Sequence, residues 1–242
     1  ALPLLRTCTS YSSIGSVSEP RQRPPRLSRE RLIEAALRLI DEDGVEKVTV
    51  RRVAAALRVT PMALYWHFAG KDELLDGIGD ALAERLDLSG IALDRPWDDR
   101  LAALLHLLID ALAAHPGAAE ITMRRLLYTM KGKRFVELGL SALGDAGISA
   151  DDALLVGRYA LRTAVAVAAE PVFTGIDLPP ERATRLQREF EEQAVTLSEG
   201  DFPALRRMSQ QLQAASDAKR YRDISVRILI KGIRQFHTEP LT

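Results

Sequence analysis

From Leu27 onward, apolar residues return every third or fourth position and hardly ever alternate with polar ones over a useful length. That period is the helical one, and Ala, Leu, Arg and Glu dominate the stretch. Ser28 stands as an N-cap ahead of Ile33, Ala36, Leu37 and Ile40, an i, i+3, i+4, i+7 stripe, and Gly44 ends the run. Thr49 caps a second, short helix with Val53, Ala54 and Leu57 facing inward. "RVT" turns the chain, and Thr60 followed by Pro61 opens a third helix. "AGKDELLDGIGDALAERL" continues as a fourth. Arg58 departs from this orderly pattern. A turn of this type wants Gly for a left-handed backbone, an Arg there costs roughly 1 kcal/mol, and the turn is expected to be slightly reshaped.

Gly, Pro and Asp cluster in "SGIALDRPWDD" and mark a boundary. Beyond it, helical spacing covers 97–115, 118–130, 133–146 and 150–170, with breaks at "HPG", around Gly132 and at "DAGIS". A further break at 177–180 precedes the charged helix "ERATRLQREFEEQAVTL" and another helix from about 203 to 215. In the closing "AKRYRDISVRILIKGIRQFH", Ile224, Ile228, Gly232 and Phe236 share one face. The chain is therefore all-α, with no internal repeat. Residues 1–26 form a flexible tail and 27–75 a three-helix unit whose last two helices meet in a tight turn, the helix-turn-helix arrangement. Residues 76–242 form a larger helical domain.

Length and an apolar share of 47% are ample for such cores. With 33 basic and 33 acidic residues, net charge points to no partner, and any pull toward nucleic acid must be local. Residues 45–71 supply it, with Lys47, Arg51, Arg52, Arg58 and Lys71 against Glu46. The same cluster also fits a plain solvated face. Arg21, Arg23 and Arg26 in the tail can brush phosphates or do nothing. Cys8 is the sole cysteine, which excludes an internal disulfide framework and a Cys-rich metal site. No stretch approaches the ~20 apolar residues of a membrane span, so a cytoplasmic protein without membrane contact is expected.

The third helix carries more apolar surface than a small bundle can absorb. Leu64 and Phe68, at i and i+4, share the core face with Val53 and Leu57. Pro61, Met62, Tyr65 and Trp66 lie on other faces. Trp66 can pack under the fourth helix, but that helix cannot take all four. The alternative is entry of the N-terminal end into the DNA major groove, where Thr60, Pro61, Met62 and Ala63 meet base edges and thymine methyls. Tyr65 and His67 can donate to phosphates, which positions without reading sequence. Lys71 adds its charge at the start of the fourth helix. Thr49, Arg51 and Arg52 open the second, where one Arg can reach phosphate and another can suit guanine O6 and N7.

The stretch "VTVRRVAAALRVTPMALYWHFAGKDELLDGI" resembles the DNA-binding domain of the TetR family of bacterial transcriptional regulators, over residues 28–78. The matching elements are Thr49–Val50–Arg51–Arg52–Val53–Ala54, Leu64–Tyr65–Trp66–His67–Phe68 and Lys71–Asp72–Glu73–Leu74–Leu75. Tyr65–Trp66–His67 resembles the tetracycline-repressor branch in particular. The resemblance implies a homodimer joined by a four-helix interface, with an inducer pocket in the C-terminal domain. In that branch, histidines and acidic groups grip a magnesium-chelated drug. The corresponding positions here fall at Asp87, Thr122, Arg158 and near Ala166, none of which matches, so no ligand residue is carried over.

In the C-terminal domain, Ala160, Ala164 and Ala168 line one side of "ALLVGRYALRTAVAVAAEP" and suit either a core helix or close approach of a second subunit, with 221–236 as partner. The dimer seam is the expectation. His106, His115, Met123, Tyr128 and Phe135 are candidate liners of an apolar effector pocket. His106 and Asp110 have metal-ligand spacing, but two residues make no site, and neither metal nor cofactor is expected. An all-helical enzyme would need a Gly-rich phosphate loop, HExxH or G-x-S-x-G, and none is present. The function expected is a ligand-responsive regulator, a repressor that binds a palindromic double-stranded operator as a homodimer and is released by a small molecule. The alternatives are a helical protein-interaction module using Tyr65 and Trp66, or an activator without small-molecule control.

Overall fold

A computed structural model describes residues 27–169 and 218–238, with isolated positions between 185 and 205. The tail to residue 26, the break at 177–180 and the helices expected at 181–197 and about 203–215 lie outside the described residues, apart from those positions. All regular structure among the described residues is helical. The main helices are α1 (Arg29–Asp43), α2 (Val50–Leu57), α3 (Pro61–Tyr65), α4 (Lys71–Glu84), α5 (Trp97–Ala113), α6 (Ala119–Arg125), α7 (Met130–Asp145), α8 (Ala150–Ala169) and α9 (Ala218–Thr238).

Local signals set the first helices. The Ser28 hydroxyl accepts from the Arg31 amide, and Gly44, at φ 84°, closes α1 by donating to the Ile40 carbonyl at 2.8 Å. The Thr49 hydroxyl accepts from the Arg52 amide at 3.2 Å and caps α2. One core gathers Leu32, Leu37 and Ile40 of α1, Val53 of α2, Leu64, Phe68, and Leu74 and Ile78 of α4. Leu57, expected inward, is only partly buried at its edge. Ala118 and Ile121, far along the chain, belong to the same core. The boundary expected at 75/76 falls inside α4, which runs unbroken to Glu84.

The second core is built from α5, α7, α8 and α9 around Leu104, Leu108, Phe135, Leu143, Ala164 and Val226. Two expectations change here. The helix expected over 118–130 stops at Arg125, giving way to a 3-10 turn at Leu126–Tyr128, while α7 starts at Met130. Gly132 is therefore no break but a buried residue in the first turn of α7, its amide donating to the Thr129 hydroxyl at 3.0 Å. A Cβ there would overlap the Leu126 carbonyl oxygen and lie 2.8 Å from Thr129 Oγ1, so only glycine fits the corner.

The Ala160, Ala164 and Ala168 seam faces the chain's own core, each less than a tenth exposed. Small residues let α8 approach α5 and α9 of the same chain; they are not the surface of a second subunit. What α8 leaves outside is Leu154, Leu155 and Tyr159. On α9 the core takes Val226, Leu229, Ile230 and Ile233, and Ile228 and Gly232 face outward. No single helix among the described residues is long and apolar enough to cross a membrane.

Candidate nucleic-acid interface

Among the described residues of the first unit, the exposed large apolar side chains lie on α3 and at its C-cap. α3 is five residues long and is held by Leu64 and, just beyond its end, Phe68, which are 1% and 2% exposed. Around those two anchors, Met62 is 67%, Tyr65 51% and Trp66 85% exposed. Trp66 does not pack under α4. It lies at the C-cap of α3, one residue past the last helical turn, where its side chain clears the bundle. Pro61 is exposed and Ala63 half-buried. Thr60 caps α3 through its main chain, with the Ala63 amide donating to its carbonyl at 3.0 Å, while its hydroxyl makes no capping bond and remains available.

The turn keeps the geometry of a glycine turn with an arginine in it. Arg58 sits at φ 56°, ψ 41°, and it is the only non-glycine residue with positive φ among the described residues. The amides of Arg58 and Val59 donate to the Ala55 and Ala54 carbonyls, each at 3.0 Å, the pair of bonds that closes a helix on a left-handed residue. The turn is not reshaped. Its hydrogen bonds hold the strained residue in place.

The structure separates the paired arginines of α2. Arg52 is spent on the fold: its guanidinium donates to the Asp43 carboxylate and, at 3.1 Å, to the Lys47 carbonyl. The hydrogen bond from Arg52 holds the Asp43 carboxyl below the usual carboxylate range. Arg51, one residue earlier, is exposed and makes no ion pair among the described residues. Lys71 is half-buried and uses one ammonium hydrogen on the Glu46 carbonyl at 3.2 Å, which leaves two donors. His67 is half-buried, and its carbonyl accepts from Arg29 at 3.2 Å, while the Arg29 guanidinium lies 4.3 Å above the Phe68 ring. Thr49 is exposed, although its hydroxyl is already accepting the cap bond. Together the exposed groups are a hydroxyl, an apolar and aromatic cluster and unpaired cations on two adjoining helices. Such a surface can meet base edges and phosphates at once.

The five residues singled out as pocket liners do not converge. His106 faces Asp223 on α9 at 3.8 Å, and Asp110 faces Arg222 at 3.6 Å. His115 reaches away to Asp41 of α1 at 2.9 Å. Tyr128 is 68% exposed and lies under the Arg125 guanidinium at 4.0 Å. Phe135 is ordinary core, and Met123 is half-buried against it. Sequence reasoning missed a shallow cleft among the described residues, between α5, α8 and α9, lined by Leu105, Ile109, Val167 and Leu229 together with Thr163 and Ser225. The signal was present as Thr163 and Ser225, two short polar residues inside apolar helical stripes.

Comparison with known proteins agrees with this geometry. Residues 32–78 match the model of bacterial regulatory proteins of the tetR family, and residues 92–236 match the tetracyclin repressor-like C-terminal domain. An HTH-type transcriptional regulator of Saccharopolyspora erythraea is 28% identical over 205 residues, 83% of this chain and 84% of that protein. The class A tetracycline repressor of transposon 1721 from Escherichia coli is 36% identical over 53% of this chain and 60% of its own. A solved structure of a possible TetR family transcriptional regulator from Streptomyces coelicolor superposes with a TM-score of 0.67 at 27% identity, covering 86% of this chain and 99% of that one. ActR of the same organism, solved with actinorhodin bound, shares the fold at a TM-score of 0.67 and 22% identity, covering 88% and 100%.

Proposed function

From the premise that this chain belongs to the tetR family of bacterial regulatory proteins, we propose that it is a repressor that binds a palindromic operator as a homodimer and is released by a small-molecule effector. Members of the family regulate transcription by binding DNA and are not enzymes. The observation that carries the rest is the five-residue α3, held by Leu64 and Phe68 and presenting Met62, Tyr65 and Trp66 to solvent.

In this reading the N-terminal end of α3 enters the major groove. The Thr60 hydroxyl, Pro61, Met62 and Ala63 face base edges, and Tyr65, Trp66 and His67 flank them toward the backbone. Arg51 reads a base or grips a phosphate, and the two spare donors of Lys71 hold a phosphate at the start of α4. Arg52 drops out of the set because its guanidinium is engaged with Asp43 and the Lys47 carbonyl. The dimer forms through the outward apolar residues of α8 and α9, Leu154, Leu155, Tyr159 and Ile228. The effector enters the cleft between α5, α8 and α9. The cleft encloses no cavity that approaches the ~300 Å³ of a small-molecule site, so a ligand has to open it. That opening is where the effector distinguishes two conformations, and only such a difference in affinity can release the operator.

Selection of bound duplexes from a random DNA pool, followed by a salt titration of the winner, tests this. The expected result is an inverted repeat whose affinity falls steeply with salt. No enrichment by folded, dimeric protein would mean that the exposed aromatics of α3 anchor a protein partner.

A further inference from the structure

We propose that Arg58 is a phosphate anchor of the DNA complex, kept in a strained left-handed backbone because its side chain is needed outside the chain. The proposal rests on the DNA-binding reading above and adds a contact that the family's motif does not supply. Three observations carry it. Arg58 occupies the left-handed region at φ 56°, where an L side chain is unfavourable and glycine is not. The two hydrogen bonds that fix the turn come from the amides of Arg58 and Val59, so a glycine would make them equally well. The arginine side chain returns nothing to the fold: it is exposed and has no hydrogen bond or ion pair among the described residues. A strained residue retained without an internal gain points to a role at the site it adjoins.

Position names the role. Arg51 and Ala55, at i and i+4, share an exposed face of α2, and Arg58 is exposed in the turn just past its C-terminal end. The exposed residues between the two cations are Ala55 and Ala56, each with only a methyl group, which lets a DNA strand come close. Two residues later Thr60 begins the helix that enters the groove. A guanidinium on a flexible stem at that place meets the sugar-phosphate edge beside the groove and not the base edges within it. Arg58 therefore adds affinity that is indifferent to sequence.

The test compares the full-length protein with Arg58→Gly and Arg58→Lys, measuring thermal unfolding and affinity for the selected operator and a random duplex across salt. Relief of the left-handed strain should raise the Tm of Arg58→Gly by about 2–4 °C. One phosphate contact contributes about 0.9 to the slope of log affinity against log salt, so the same variant should lose about eightfold at 0.1 M salt, equally on both duplexes, with a slope shallower by about 1. Arg58→Lys should keep the slope. If Arg58→Gly keeps affinity and slope while the parent protein binds with steep salt dependence, the anchor is refuted and the DNA-binding reading stands. A Tm that falls in Arg58→Gly, or an Arg58→Lys that loses the slope as glycine does, refutes it too. A parent protein whose DNA affinity ignores salt takes down both.

Discussion

Replacing Trp66 with alanine should separate what α3 does for the fold from what it does for DNA. Trp66 is 85% exposed, so it hides only about a sixth of its surface in the free protein. For a side chain that buries up to ~250 Å², that is roughly 40 Å², or about 1 kcal/mol at 25 cal/mol per Å². Stability should therefore fall by no more than about 1 kcal/mol. In the complex the remaining ~200 Å² would be covered, about 5 kcal/mol gross, most of which association and side-chain ordering consume. A net loss of ~2 kcal/mol, near thirtyfold in Kd, is expected.

Leu64→Ala is the counterpart in the same helix. Leu64 is 1% exposed and is one of two side chains that fasten α3, so its truncation should cost ~2–5 kcal/mol of stability. Urea unfolding followed by circular dichroism, at a fixed protein concentration because the stability of the proposed dimer would depend on it, gives the first quantity. Operator titration by fluorescence anisotropy gives the second. If Trp66→Ala destabilises as much as Leu64→Ala, the indole is packed against the fold and is not an exposed contact surface. If it destabilises little and binds as tightly as the parent, Trp66 lies outside the interface.

Two glycines of α7 should respond with opposite signs. Gly132→Ala pushes a methyl into the Leu126 carbonyl and the capping Thr129 hydroxyl and should destabilise by ~1–3 kcal/mol, whereas Gly139, with nothing within 4 Å of its Cβ position, should gain ~0.5–1 kcal/mol as alanine; equal Tm shifts would refute the close corner. Acid should weaken the turn before α2. The hydrogen bond from Arg52 holds the Asp43 carboxyl below its ordinary value, so its contribution is complete above that ordinary value and is lost as pH falls through the lowered one. Stability of the parent should drop more than that of Asp43→Asn between pH 5 and 2, and parallel curves would show that the pair contributes nothing.

The elements of the first unit were legible because their determinants are local. Ser28, Gly44 and Thr49 each act within four residues, and the α1 stripe lies entirely in the core. What could not be read depended on distant partners. Nothing around Arg51 and Arg52 says which of them Asp43, in the preceding helix, will engage. Ala160, Ala164 and Ala168 have the same spacing whether they meet their own chain or another copy. His115 read as a pocket candidate because Asp41, 74 residues earlier, is invisible to any local pattern. Leu126–Tyr128 has full helical periodicity, yet the approach of Gly132 to the Leu126 carbonyl forces a corner there.

Those same distant contacts decide how the reading helices can move. Ala119 packs in the C-terminal core, whereas Ala118 and Ile121, its near neighbours, pack in the N-terminal one, so the start of α6 belongs to both. Arg125 holds Asp80 of α4 through two bonds of 2.8 and 3.0 Å. A Cβ on Gly79 would stand 2.8 Å from the Ile121 carbonyl, and one on Gly117 would stand 2.7 Å from Ile40 of α1. Asp41 of α1 is tied to His115, and Glu34 of α1 to Arg85 just past α4. Glycines packed too closely to admit a Cβ resist compression, and a two-bond ion pair tolerates little rotation, so α1 and α4 have little slack relative to α6. A ligand that opened the α5–α8–α9 cleft and displaced α6 would carry α1 and α4 along with it. α2 and α3, packed on those helices through Val53, Leu64 and Phe68, would follow as a body. Release would come from rotating an intact reading unit off its half-site, with α3 as well formed after release as before it.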